Sequence, residues 1–380
     1  MDRIVFICPD ILGGVNSYVR NIAAFLKKKD VDHAVFFYGE NDGLTTLSEP
    51  GDIDHSTHIR FSKYSTFKSR YKELAAYIRN DDVLICNDVF ELMTLSSLGL
   101  KNRVIYILHG DLEHYNAILS DYHSSIDKVF CVSTGLKDKY SRLFPTLSFV
   151  ICYPLVDNFC GNIQLEDKEL LTGIFVGRYE YMKGADDFTA IVKACIESGI
   201  PVKWKVYVST HGSDSQLLAN LPESVEVSFD VPNKLLLEKI AGDDILLFPS
   251  RSEGFGMTVL EAMKRGIVPI ARNLPIGIPD MVTDGESGYL VDNTEQALAA
   301  IKRLTQDRQL LKTLKSNAAG FSGSFFDYQR LGDNFLANVN EVMKQQLQSG
   351  KKFHVPRERW IERVLPEPVY RFSKWMYSKF

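Results

Sequence analysis

Twice along the chain, short apolar runs rich in β-branched and aromatic residues alternate with segments whose apolar positions recur at helical spacing. Parallel strands need long crossover connections, so this alternation predicts βαβ units and an α/β fold built on parallel sheets. In the first series the expected strands are Ile4 to Cys8, Ala34 to Tyr38, Val83 to Cys86, Val104 to Leu108, Val129 to Val132 and Phe149 to Cys152. Val15, Val19, Ile22, Ala23 and Leu26 then mark one intervening helix, and Leu74, Tyr77 and Ile78 another. The polar stretch from Gly39 to Lys63 reads as a long loop. A second series begins at Gly173, with strands at Ile174 to Val176, Lys205 to Val208, Val225 to Phe229, Ile245 to Phe248 and Val268 to Ile270. Ala185 to Ser198 and Pro232 to Ala241 connect them, so the architecture repeats where the sequence does not.

A chain of 380 residues exceeds what one ordinary core supports. Between the two series, Pro154 to Leu170 carries Pro, Asn, Gly and a charged patch, as a linker would. Residues 1–155 are therefore expected to form one Rossmann-like domain and 156–325 a second. The helical pattern in 326–348 follows the last strand of the second sheet and is expected to cross back onto the first domain.

A net charge of -4 gives no basic field to draw the chain onto nucleic acid. The six cysteines, Cys8, Cys86, Cys131, Cys152, Cys160 and Cys195, form no Cys-x-x-Cys pair and read as reduced core residues. No apolar run approaches membrane-spanning length, and Pro9 and Asp10 interrupt the first one too early for a secretory signal. A cytoplasmic protein is the expectation.

Three glycine-bearing loops carry the chemistry, each between a strand and a helix. The first holds Gly13 and Gly14, where backbone amides and the helix dipole favour an anion or a sugar. The second runs Gly177-Arg178-Tyr179-Glu180-Tyr181-Met182-Lys183-Gly184 and sets two cations where a diphosphate would need neutralising. In the third, Glu253-Gly254-Phe255-Gly256-Met257-Thr258 leads into a helix bearing Glu261. Two glutamates so spaced are expected to grip different parts of one extended ligand rather than to form a dyad.

Together these loops resemble the retaining glycosyltransferase family 4, whose two Rossmann-like domains face each other across a cleft in the architecture called GT-B. The resemblance rests most on Glu253 and Glu261 with Ala262, Met263, Gly266, Pro269, Gly277 to Val282 and Gly285 to Leu290, and covers the chain to about Lys344. It implies that Arg178 and Lys183 bind the donor diphosphate, that Glu253 with Gly254, Phe255, Gly256, Met257 and Thr258 holds the sugar and phosphates, and that Glu261 accepts from the ribose. Gly13, Gly14 and Gly177 would lie along the donor. His109, in Leu108-His109-Gly110-Asp111, matches the family histidine near the transferred sugar, although Gly110 stands where family members often carry Asp. The implied reaction moves a sugar from a nucleoside-diphosphate sugar, UDP-sugar or GDP-mannose, to a glycan or lipid-linked glycan with retention of configuration. The leaving phosphate oxygen would take the acceptor's proton. Aimed cations typically contribute about 3 kcal/mol each to such a departure, so no cofactor or divalent metal is expected. Asp30-Val31-Asp32 and Asp52-Ile53-Asp54 both stand in polar surroundings unlike a metal site. A nucleotide-sugar epimerase or a non-catalytic nucleotide-sugar binder is the alternative.

Beyond Gly350 basic residues outnumber acidic ones, while Trp360, Ile361, Val364 and Leu365, then Val369, Phe372, Trp375, Met376 and Phe380, fall on helical faces. Residues 349–380 thus read as a basic amphipathic tail, in which 351–380 suits an anionic leaflet at the inner face of a cytoplasmic membrane or a protein surface.

Overall fold

In β1 (Ile4–Pro9) the side chains from Ile4 to Cys8 are at most 1% exposed, as both faces of a parallel sheet require. The computed structural model describes residues 2–11, 13–40, 56–163, 165 and 168–345. The expected tail at 349–380 and the Asp52-Ile53-Asp54 stretch lie outside them. Two units are present. One gathers the described residues up to Val132, Leu136–Leu155 and those from Leu331 onward, and the other gathers Ser133–Gly135 and Val156–Arg330.

The first unit is built on a parallel seven-stranded sheet ordered β3-β2-β1-β4-β5-β6-β7. Its further strands are β2 (His33–Glu40), β3 (Ser56–Phe61), β4 (Val83–Cys86), β5 (Arg103–Leu108), β6 (Lys128–Cys131) and β7 (Phe149–Ile151). The second unit repeats the plan with six parallel strands ordered β10-β9-β8-β11-β12-β13. These are β8 (Leu171–Val176), β9 (Val202–Val208), β10 (Glu226–Phe229), β11 (Ile245–Phe248), β12 (Val268–Arg272) and β13 (Tyr289–Val291). In both sheets the order reverses between the first strand and its neighbour on the far side, β1 against β4 and β8 against β11. Connections leave that switch point in opposite directions and open a crevice at the strands' carboxyl ends, where ligands of such sheets bind.

Two strands escaped the sequence pattern. β3 lies inside the stretch expected to be a loop, and pairs in register with β2. Only Ile59 and Phe61 are buried there, so this edge strand presents mostly polar residues and carries no apolar run. β13 has three residues, too few to show a period. Leu74 lies in the helix Phe67–Ala75, but Tyr77 and Ile78 fall past its end.

The second unit's core is an aromatic column, Tyr179 and Phe175 against Phe188, and Phe188 edge-on to Trp204 at 5.5 Å between centroids. In the first unit, the helix Tyr328–Met343 seats Phe335 against Phe6 and Phe130 from Leu331 onward. Lys128 Nζ donates to Glu341 at 2.5 Å beside this contact. Gly332 gives the helix its fit, because a Cβ there would fall 2.3 Å from the Phe25 ring. By contrast, a Cβ on Gly320, in the helix Arg308–Phe325, would meet nothing within 4 Å.

One substitution at these two helical glycines should therefore act with opposite signs. Gly320→Ala is expected to raise stability by about 0.5–1 kcal/mol through helix propensity. Gly332→Ala should lower it by about 1–3 kcal/mol because overpacking outweighs the same gain. Denaturant melts of the two variants check this, and two shifts of the same sign would contradict it.

Candidate functional site

In the second unit the switch point lies between β8 and β11, and the loops that follow these strands are the two that carry its candidate residues. Val176 ends β8, Gly177 turns the chain at φ 142, and Arg178 to Lys183 follow. Gly184, at φ 70, opens the helix Ala185–Glu197. A Cβ on Gly184 would sit 2.2 Å from the Pro249 carbonyl oxygen, so only glycine lets the two loops meet. The meeting is then tied by the backbone, since Arg251 N donates to Met182 O at 2.9 Å.

This contact delivers Lys183 to Glu253. Lys183 Nζ donates to Glu253 Oε1 at 2.7 Å, and Ser250 Oγ donates to the same oxygen at 2.7 Å. Arg178 Nη2 pairs with Glu180 Oε1 at 2.9 Å, and its aliphatic stem lies over Gly212. Behind the loops, Arg251 forks onto Asp186 at 2.7 and 2.9 Å and reaches Asp187 at 2.6 Å. Its guanidinium carbon stands 3.9 Å from the centroid of the Tyr181 ring, and Arg272 joins from β12 by bonding Asp187 and Pro249 O. Planar bidentate contacts of this kind hold a loop in one geometry.

Gly256, at φ 96, caps the helix Met257–Met263, which Met257 and Thr258 begin. Gly277 closes a third loop onto Gly254 and Phe255, where its Cβ would fall 2.7 Å from Phe255 Cα. Glu261 sits on that short helix, facing Asn233 and the charge of Arg265. Desolvation raises its carboxyl to about 7, with Arg265 and Asn233 pulling the other way. Glu253 and Glu261 thus have separate partners, and no hydrogen bond or ion pair joins them.

The first unit places its candidates at the equivalent edge. Gly13 (φ 144) caps the helix Gly14–Lys28, and a Cβ on Gly13 or Gly14 would meet nothing within 4 Å. His109 follows β5, its Nε2 2.8 Å from Asn87 Oδ1 and its ring edge-on to Tyr18. Because Asn87 Nδ2 donates to Ile7 O at 2.8 Å, Asn87 Oδ1 is an acceptor, which puts the imidazole proton on Nε2 and leaves Nδ1 to accept. Burial lowers this histidine to about 3, so it is neutral at physiological pH. Asp111 is bonded to Lys139 and Tyr140.

The structure therefore brings Lys183 together with Glu253, sets Arg178 on the same loop, and keeps Glu261 apart on the next helix. The residue pattern did not single out Asn87, Glu180, Asp186, Asp187, Asn233, Ser250, Arg251 or Arg272. A polar residue directly after an apolar strand was the available signal for Asn87, and one two positions past such a strand for Ser250. In the first unit β3 adds His58 and Arg60, whose side chains meet the buried carboxylate of Asp10 just before the glycine pair. Among the described residues no group of three His, Cys, Asp or Glu side chains is placed to hold a metal ion.

Residues 162–321 match the family described as glycosyl transferases group 1. An uncharacterized glycosyltransferase of Methanocaldococcus jannaschii is 26% identical over 342 residues, covering 83% of this chain and 91% of that protein. Residues 162–321 thus form a group 1 glycosyltransferase domain. A lipopolysaccharide 1,6-galactosyltransferase of Escherichia coli is 24% identical to this glycosyltransferase, covering 73% of this chain and 81% of its own. Among solved structures, Anabaena HepE in complex with UDP and glucose superposes with a TM-score of 0.72 at 17% identity, covering 90% of this chain and all of that one. Pneumococcal GtfA with UDP and GlcNAc gives 0.70 at 12% identity, covering 90% and 100%. These likenesses establish the GT-B fold.

The raised acid at Glu261 fixes a sign for stability. Its folded value of about 7 lies above the ordinary 4.5, so the fold favours the protonated carboxyl. That contribution is full below about pH 4.5 and is lost as pH rises through 7. Glu261→Gln in the ligand-free glycosyltransferase should therefore melt higher than wild type by a few degrees at pH 8 and by little at pH 5. Thermal unfolding at the two pH values checks this; a pH-independent difference would contradict it.

Proposed function

We propose that this glycosyltransferase is a retaining, metal-independent enzyme that takes a sugar from a nucleoside-diphosphate sugar, a UDP-sugar or GDP-mannose, and gives it to a glycan or lipid-linked glycan. The Lys183–Glu253–Ser250 cluster beside Arg178, at the switch point of the second sheet, carries this reading. A diphosphate leaving group gathers negative charge as its bond to the sugar breaks, and Arg178 and Lys183 supply cations there. Glu253, released from Lys183 when phosphate takes its place, is free to accept from sugar hydroxyls. Glu261 accepts from the ribose as a carboxylate, and Gly256, Met257 and Thr258 present backbone amides to phosphate.

Retention follows if the acceptor hydroxyl attacks from the face the diphosphate leaves, with a departing phosphate oxygen taking its proton. No side chain is then needed as base. His109, fixed as a neutral ring by Asn87, offers Nδ1 as an acceptor to a hydroxyl of the transferred sugar. Surface polysaccharide or lipopolysaccharide synthesis is the supported setting, because relatives act in lipopolysaccharide galactosylation and in amylovoran biosynthesis. No helix among the described residues is long and apolar enough to cross a membrane. The basic amphipathic residues 351–380, outside the described residues, would bring the enzyme to an anionic leaflet where lipid-linked acceptors lie. Removing them should abolish cosedimentation with anionic vesicles while leaving nucleotide binding intact.

Thermal unfolding with UDP, GDP, ADP and CDP tests the donor site. One of them should raise the midpoint by a few degrees with or without EDTA, because a ligand at a hundred times its Kd stabilises by about 2.7 kcal/mol. Arg178→Ala should weaken that nucleotide roughly tenfold to hundredfold, the loss of a charged hydrogen-bonding partner. Lys183→Ala should lower kcat by about two to three orders of magnitude. No shift with any nucleotide would overturn the reading, and conversion of the donor without acceptor to an isomeric nucleotide sugar would move it to an epimerase.

A further inference from the structure

Both cations of the Gly177 to Gly184 loop are already paired with carboxylates of this chain, and the two pairs are built differently. Glu253, paired to Lys183, is 11% exposed at its side chain and takes a second bond from Ser250. Glu180, paired to Arg178, stands at the surface, the two side chains being 25% and 46% exposed. Arg178 is placed by packing: its Cδ lies over Gly212, where a Cβ would come within 2.9 Å, and Tyr179 N is held by Ser213 Oγ at 2.8 Å. The backbone of Glu180 is equally fixed, its N donating to Arg178 O at 3.0 Å and its O accepting from Lys183 N at 3.0 Å. The Glu180 carboxylate extends from this fixed backbone to its bond with Arg178. It covers the guanidinium that a diphosphate needs, and its charge opposes that of the incoming phosphates.

Resting on the donor-site reading above, we propose that Glu180 is a built-in counter-ion which a nucleoside diphosphate must displace from Arg178. Glu180 thereby sets the affinity of the site for that ligand and the rate at which the diphosphate product leaves. An exposed pair is weak enough to be exchanged by a multiply charged, bidentate phosphate partner. The displaced carboxylate then stays tethered beside the bound diphosphate, so a like charge remains to speed release.

Calorimetric titration of the full chain with the nucleoside diphosphate that stabilises it tests this in four proteins: wild type, Glu180→Gln, Arg178→Ala and the double variant. Glu180→Gln should tighten Kd about threefold to tenfold, mainly through slower dissociation, with the gain shrinking at about 0.5 M salt. In the Arg178→Ala background the gain should shrink to the relief of like-charge repulsion alone, because Glu180 would have no cation to give up. If the Gln variant proves unstable, Glu180→Ala retains the same backbone bonds and reads the same quantity. An unchanged or weaker Kd, or an equal gain with and without Arg178, would overturn the proposal. Wild type binding while Glu180→Gln changes nothing would sink this inference alone; wild type binding none of UDP, GDP, ADP or CDP would sink the donor-site reading with it.

Discussion

Gly184 and Pro249 come together where no side chain fits between them, and the candidate donor site depends on that approach. Any L-residue at Gly184 would meet two penalties at once: the left-handed backbone and a Cβ driven into a carbonyl oxygen. With glycine in place, the loops after β8 and β11 share a backbone hydrogen bond, and a lysine from one reaches a glutamate on the other. The Arg251 fork onto Asp186 and Asp187 ties the arrangement to the start of the following helix. Paired charges and a shared backbone bond thus hold the two loops in one geometry.

The same strand order serves two chemistries. At the switch point of the second sheet the loops are dominated by charge, with Arg178 paired to Glu180 and Lys183 to Glu253. At the carboxyl edge of the first sheet, the residues around His109 are held by neutral contacts, an amide on one ring nitrogen and a tyrosine edge against the ring. A neutral imidazole with a fixed tautomer orients a hydroxyl without adding charge.

The α/β class and most strands were legible in the sequence because each central strand is an uninterrupted apolar run, as burial on both faces demands. β3 was not, since an edge strand keeps one face wet and mixes Ser, Thr, His and Arg with Ile59 and Phe61. In the candidate site, the glycines of the loops could be read from spacing, because tight turns restrict residue type. The partners of the loop cations could not. Glu180 and Glu253 are ordinary acidic residues in sequence, and only folding shows which cation each one faces. Arg251 is similar: its contacts come from a helix that starts more than sixty residues earlier in the chain.

The helix Tyr328–Met343 gives the first unit an unusual place in the order of synthesis. Phe6 and Phe130 find their partner Phe335 only after the whole of the second unit has been made. A growing chain that folds domain by domain from its beginning would here hold a first sheet with an uncovered apolar face for some two hundred residues, roughly 10–40 s at usual elongation rates. The second unit, complete once Arg330 has been made, can close first. Nascent chains stalled before Phe335 should therefore be the species that chaperones hold, and the glycosyltransferase would finish folding where it began.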